Sequence, residues 1–142
     1  MSLRIDDQLC FALHAASRAM TAAYAPLLDE LDLTYPQYVV MLVLWEKDGV
    51  SVSQIGGRLS LDSATLTPLL KRLEAHGVVE RRRSSADEQV VEVFLTAAGK
   101  RLHRKALDVP GCMLDKVKLS AAEVRSLRTQ LQALTHQLRG AD

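Results

Sequence analysis

Two thiols are the most reactive side chains of this 142-residue chain, and their surroundings differ. Cys10 lies about one turn into an apolar-periodic stretch, where unpaired backbone N–H groups and the helix dipole favour the thiolate. His14 follows one turn later on the same face. Such a thiolate is set up for oxidation to sulfenic acid, yet a cysteine in an apolar helix is also an ordinary packing residue, and the residues alone leave both readings open. Cys112 follows Pro110-Gly111, a break expected to let its backbone shift, as a second, resolving thiol requires. Tyr24, Tyr35 and Tyr38, the only tyrosines, are by default core rings whose hydroxyls need partners. The four histidines have no ligand spacing and two remote cysteines do not make a zinc site, so neither metal nor cofactor is expected. With no glycine-rich phosphate loop and no nucleophile elbow, an enzyme is not expected either.

The second chemistry is polyanion binding. Residues 1–50 carry three basic and seven acidic side chains, whereas 51–105 carry ten basic and six acidic, so a net charge of +1 hides a basic central segment. Within it, Ser63, Thr65, Thr67, Lys71 and Arg72 are of the types that bond phosphates and base edges, and Arg81, Arg82 and Arg83 stand in a row. A solvated charged surface is the bland alternative.

The elements that must position these residues read from periodicity and caps. Leu9, Leu13, Ala16, Met20, Ala23, Leu27 and Leu31 predict one helix over 6–31, capped by Asp6 or Asp7 and bent at Pro26. Thr34-Tyr35-Pro36-Gln37 is a capping box before the run 38–45, which reads as buried all round. Ser51-Val52-Ser53-Gln54 starts a short helix over 51–60. Asp62 starts another over 62–76, with Leu66, Leu69, Leu70 and Leu73 inward and Pro68 bending it slightly. The β-branched runs 78–81 and 90–95 predict a hairpin with a long tip. Thr96 opens a helix that Pro110-Gly111 interrupts, and Ser120-Ala121-Ala122-Glu123 opens the last. The predicted fold is mainly α with a small β-hairpin wing, a winged helix-turn-helix over 34–95 within one domain spanning 1–142. The segments 1–33 and 96–142 are the natural dimerisation material, and a homodimer on double-stranded DNA is the expected working form.

Several stretches carry a more specific likeness: Leu9-Cys10-Phe11-Ala12-Leu13, Tyr24-Ala25-Pro26-Leu27-Leu28, Leu33-Thr34-Tyr35-Pro36-Gln37-Tyr38, the run from Leu61 to Arg72, and Leu95-Thr96. With these the chain resembles the MarR family of winged-helix repressors, and within it the OhrR branch that senses organic hydroperoxides. The resemblance implies a redox-sensing repressor on a pseudo-palindromic operator, with Cys10 as the sensing thiol and Phe11, His14, Tyr24 and Tyr35 around it. It further implies that Tyr24 and Tyr35 come from the other subunit, and that Cys112 traps oxidised Cys10 in an intersubunit disulfide. Pro68 fits, since recognition helices of this branch carry a proline there. His14 stands where relatives often have a tyrosine. The wing reads Asp87-Glu88-Gln89 where the family has Asp-x-Arg, so Gln89 lacks the charge that enters the minor groove and Arg81 to Arg83 are expected to supply more of the phosphate attraction. A repressor released by a small aromatic ligand and a thiol peroxidase-like enzyme are the rival readings.

The longest apolar run, Tyr38 to Trp45, is eight residues, far below the ~18 that would span a bilayer, so no membrane association is expected. The first residues do not pair a basic with an apolar region, which places the chain in the cytoplasm, where a permanent structural disulfide is disfavoured.

Overall fold

Caps decide where most helices begin. The computed structural model describes residues 1–140, so the expected span of 1–142 ends two residues beyond them. Helix α1 (Leu9–Asp29) is one exception: Gln8 is its N-cap, without a side-chain bond, and Asp6 and Asp7 sit in a separate 3-10 turn (Ile5–Asp7). Neither aspartate caps the helix, because the chain is extended at Gln8 between the two elements. The helix is also shorter than 6–31, ending at Asp29 before Asp32 turns left-handed (φ 56°). Pro26 lies in its last turn, so it deprives only the Ala22 carbonyl of a donor. Helix α2 (Tyr35–Glu46) starts at the expected capping box, the Thr34 N–H donating to Gln37 Oε1 at 2.9 Å. Its run is not buried all round: Tyr38, Val40, Met41, Val43 and Leu44 are buried, Val39 and Trp45 are half-buried, and Leu42 is 42% exposed.

A strand that the sequence reading missed, β1 (Val50–Ser51), precedes helix α3 (Val52–Leu59), whose capping box is again Ser51 and Gln54. Two residues are too short for an alternating pattern, and only pairing with β3 makes them a strand. Asp62 caps helix α4 (Ser63–Ala75), its Oδ1 accepting from the Thr65 N–H at 2.8 Å. The turn between α3 and α4 is tight: a Cβ on Gly56 would come 2.7 Å from the Leu61 carbonyl oxygen, and Ser60 is left-handed.

Strands β2 (Val79–Arg83) and β3 (Val91–Leu95) form the hairpin, with β3 central in the order β1-β3-β2. Val79 lies opposite Leu95, Arg81 opposite Val93 and Arg83 opposite Val91. The core of this region joins Val40, Met41 and Leu44 of α2 with Ile55, Leu66, Leu70, Leu73, Val79 and Val93.

Thr96 ties the base of the wing to the next helix. Its hydroxyl donates to the Gly77 carbonyl at 2.6 Å and accepts from the Gly99 N–H at 3.1 Å, capping helix α5 (Ala97–Ala106). The Trp45 indole donates to the Gly99 carbonyl at 3.0 Å. After α5 the expected break is instead a helix start: α6 (Val109–Val117) has Pro110 in its first turn, where a missing N–H costs nothing. Cys112 is therefore helical, its N–H bonded to the Asp108 carbonyl at 3.1 Å, and not in a loosened segment. Helix α7 (Ala121–Leu138) begins at the Ser120–Glu123 capping box.

The chain falls into two compact units, Met1–Leu107 and the C-terminal unit from Asp108. In the second, α7 has no buried residue, and Leu127, Leu131 and Leu138 are exposed. Among the described residues, no helix is long and apolar enough to cross a membrane.

Gly99 and Gly57 provide a matched pair. A Cβ at Gly99 would press into the Val78 carbonyl oxygen, whereas at Gly57 it would meet open space. Gly99→Ala should destabilise by about 1–3 kcal/mol, and Gly57→Ala should be neutral or gain up to ~1 kcal/mol. Urea denaturation of both variants decides it; equal midpoints would show that α5 shifts freely on the wing base.

Candidate nucleic-acid interface and sensor site

The buried leucines of α4 set its rotation and hence what it presents. With Leu66, Leu69, Leu70 and Leu73 inward, Ser63, Thr65, Pro68, Lys71 and Arg72 are exposed and Thr67 half-buried. Lys71 and Arg72 have no ion-pair partner among the described residues, and so remain open to an anion. Between the N-terminal ends of α3 and α4 and the wing lies a cleft of about 370 Å³. Ser63 and Thr67 line it on one side and Arg81 and Gln89 on the other, so four of the expected DNA-binding residues share one surface feature. Ser51 and Ser53 line it too. The sequence reading used them only as part of a cap.

The three arginines do not act as one patch, because side chains alternate along a strand. Arg81 shares a sheet face with buried Val79 and Val93, and so turns toward α4. There its Nε and Nη2 donate to Glu74 Oε1 at 3.2 and 3.1 Å, while its backbone N–H donates to Glu74 Oε2 at 3.0 Å. Arg82 is on the opposite face, paired with Glu80 and with its guanidinium 4.4 Å from the centre of the Phe94 ring. Arg83 reaches along the tip and donates to the Glu88 carbonyl at 2.8 Å. The tip is closed by Asp87, which accepts from the Gln89 N–H at 3.0 Å, leaving the Gln89 side chain exposed beside the cleft. Each of the three arginines is thus engaged, with a different partner.

The sensor residues fall into two groups. Tyr24 of α1 and Tyr35 of α2 have ring centroids 5.1 Å apart, and Tyr38 packs 5.7 Å from Tyr24. Burial, and secondarily the nearby Tyr35, raises the Tyr24 pKa, so at neutral pH its hydroxyl keeps its proton and can donate. Tyr38 is raised by the same causes, with Tyr24 acting on it as well. Cys10, Phe11 and His14 are exposed near the other end of α1. Fourteen residues separate Cys10 from Tyr24 in one continuous helix, about 21 Å at ~1.5 Å per residue, far beyond hydrogen-bond reach. Cys112 is likewise exposed, in the second unit. Among the described residues no group of histidine, cysteine or carboxylate side chains has the arrangement of a metal site.

Comparison with known proteins gives consistent results. The family model for the transcriptional regulator SarA/Rot matches residues 22–105. The organic hydroperoxide resistance transcriptional regulator of Bacillus subtilis is 46% identical over 136 residues, covering 96% of this chain and 92% of its relative. The solved structure of reduced AbfR bound to DNA, a protein of Staphylococcus epidermidis, superposes with a TM-score of 0.79 at 32% identity over 96% of this chain and 94% of that one. Overoxidized AbfR bound to DNA gives 0.76 at 33% identity over 95% and 96%. The first of these relatives is a transcriptional regulator, and the second is bound to DNA.

One consequence is testable by pH alone. Hydrogen bonds from the Arg81 backbone and then its side chain hold the Glu74 carboxyl below its ordinary range. A depressed folded-state pKa means that the stabilisation is complete above the ordinary value of ~4.3 and disappears as pH falls through the depressed one. The Arg81 backbone amide resonance should therefore stay fixed from pH 7 down to the ordinary carboxylate range and move only below it. Movement already at pH 5 to 6 would show that the carboxylate is not held.

Proposed function

The chain belongs to the MarR family of winged-helix transcriptional regulators, and from that premise we propose that it is a homodimeric, organic-hydroperoxide-sensing repressor of the OhrR type. It binds a pseudo-palindromic operator in double-stranded DNA while Cys10 is reduced and releases it on oxidation, acting in the cytoplasm.

The separation along α1 carries the reading. A thiol some 21 Å from Tyr24 of its own chain can accept its hydrogen bond only if a second copy brings that tyrosine alongside. The dimer would use segments 1–33 and 96–142, whose Leu9, Phe11, Met20, Leu127 and Leu131 are exposed in the single chain. An apolar surface of that kind is normally covered by a partner.

In the reaction, the Cys10 thiolate attacks the terminal hydroperoxide oxygen, the O–O bond breaks, the alkoxide leaves and takes a proton from water to become the alcohol, and Cys10 becomes a sulfenic acid. The Cys112 thiolate of the other subunit then attacks the Cys10 sulfur and displaces hydroxide, forming a disulfide. That bond requires ~4.4–6.8 Å between the α-carbons, so its formation would draw helices together and change the spacing of the two recognition helices. On DNA, α4 enters the major groove with Ser63, Thr65, Thr67, Pro68, Lys71 and Arg72, and the wing tip at Asp87 and Gln89 follows the adjacent backbone or minor groove.

The deciding experiment titrates a duplex selected by the protein from a random pool. Cys10→Ser should bind like the reduced wild type and should not release on cumene hydroperoxide; Cys112→Ser should still be oxidised but give no cross-linked dimer on a non-reducing gel. Release of Cys10→Ser by the peroxide sinks the sensing assignment, and release of wild type by a phenolic acid instead of peroxide favours a ligand-released repressor. Lys71→Ala and Arg72→Ala should each weaken binding and lower the salt slope by about one unit for every phosphate the side chain neutralises. Unchanged affinity and slope would remove them from the interface.

A further inference from the structure

We propose that Arg81 and Glu74 form a clasp that sets the angle between wing and recognition helix, with Arg81 acting as a positioning residue rather than a DNA contact. Strand alternation turns Arg81 away from the outer face of the wing and onto the sheet face shared with Val79 and Val93. Its guanidinium and its backbone N–H are both committed to one carboxylate near the end of α4, through three bonds of 3.0 to 3.2 Å. The pair is only partly exposed, with side-chain exposures of 29% for Arg81 and 37% for Glu74.

A mere surface ion pair would use the side chains alone. Here the carboxylate also holds the main chain of β2, so the strand carrying the wing is fixed to the helix carrying Ser63, Thr67 and Lys71. Arg81 also lines the cleft, together with Gln89, Ser63 and Thr67. The base of the hairpin is anchored separately, through Thr96 and the Gly77 and Val78 carbonyls at 2.6 and 3.1 Å. With β3 central in the sheet, those two anchors leave the wing little freedom to swing. The wing then presents its outer groups at a preset distance from α4, and Arg81 contributes geometry instead of charge.

The inference requires that the wing meets DNA but not that Cys10 senses peroxide, so every titration is made with the full-length protein kept reduced by dithiothreitol. Wild-type binding to the selected duplex tests the regulator reading; ratios between variants test the clasp. Glu74→Gln is nearly isosteric and keeps an acceptor for the Arg81 N–H, yet loses the ionic grip. Under the clasp it weakens binding about 3- to 10-fold per dimer with an unchanged salt slope. Arg81→Gln does the same, and the double variant is no weaker than either single one, since all three lose one device. If Arg81 instead contacts phosphate, the signs separate: Glu74→Gln frees the guanidinium and strengthens binding, and Arg81→Gln flattens the salt slope by about one unit per subunit. Either result overturns the proposal, as does unchanged affinity in all three variants. Arg81→Lys restores part of the affinity if the clasp holds. Should Arg81→Gln fail to fold, the sign of the Glu74→Gln effect alone still decides between the two.

Discussion

The burial of four leucines on one side of α4 is the constraint from which the DNA-binding half follows. Each fully buried leucine stabilises by about 1.5–3 kcal/mol relative to exposure, so the helix cannot rotate about its axis without losing far more than any surface contact returns. Leu66, Leu69, Leu70 and Leu73 are all buried, and this rotation alone decides that Lys71 and Arg72 face outward and that Glu74 faces the wing. Pro68 is tolerated because it sits on the exposed side, where water can satisfy the Ala64 carbonyl left without a donor.

The wing inherits its placement from that helix and from its own base. At the base, α5 packs so closely on the Val78 carbonyl that only a glycine fits at 99, and Thr96 bonds the same stretch of chain twice. Trp45 joins this junction to the rest of α2: its indole bonds the Gly99 carbonyl, and its ring packs 6.4 Å from Tyr38 and 5.5 Å from His103. Tyr38 in turn touches Tyr24 and Tyr35. The aromatic cluster and the wing base are thus parts of one continuous packed structure within the first unit, and motion of α1 against α2 has a physical route to the wing.

Tyrosine and thiol obey a different constraint, the fixed rise of an α-helix. A single helix holds Cys10 and Tyr24 apart as firmly as it holds its own hydrogen bonds. Any chemistry that needs both must be assembled from two chains, which under the proposed reading couples sensing to dimerisation. The exposed leucines of α7 show the same division of labour, since a stripe at three- and four-residue spacing with nothing buried beneath it is an incomplete core.

Much of this was legible from residue order, for a local reason. Capping boxes at Thr34, Ser51 and Ser120, the Asp62 cap and the leucine stripe of α4 are contacts between residues three or four apart, and such contacts are written in sequence spacing. The pairing of helix-turn-helix with hairpin, and the basic character of the central segment, follow from the same local signals. Long-range partners are not written there. The two-residue strand β1 exists only because β3 lies beside it, Pro110 falls in the first turn of a new helix, and Asp7 fails as a cap because Gln8 is extended. Above all, Arg81, Arg82 and Arg83 are chemically identical neighbours in sequence, and tertiary structure alone assigns them to Glu74, to Phe94 with Glu80, and to the Glu88 carbonyl. Sequence determined that charge would be present at the wing; the alternation of a strand between a packed face and an open one decided which charge was spent inside the protein.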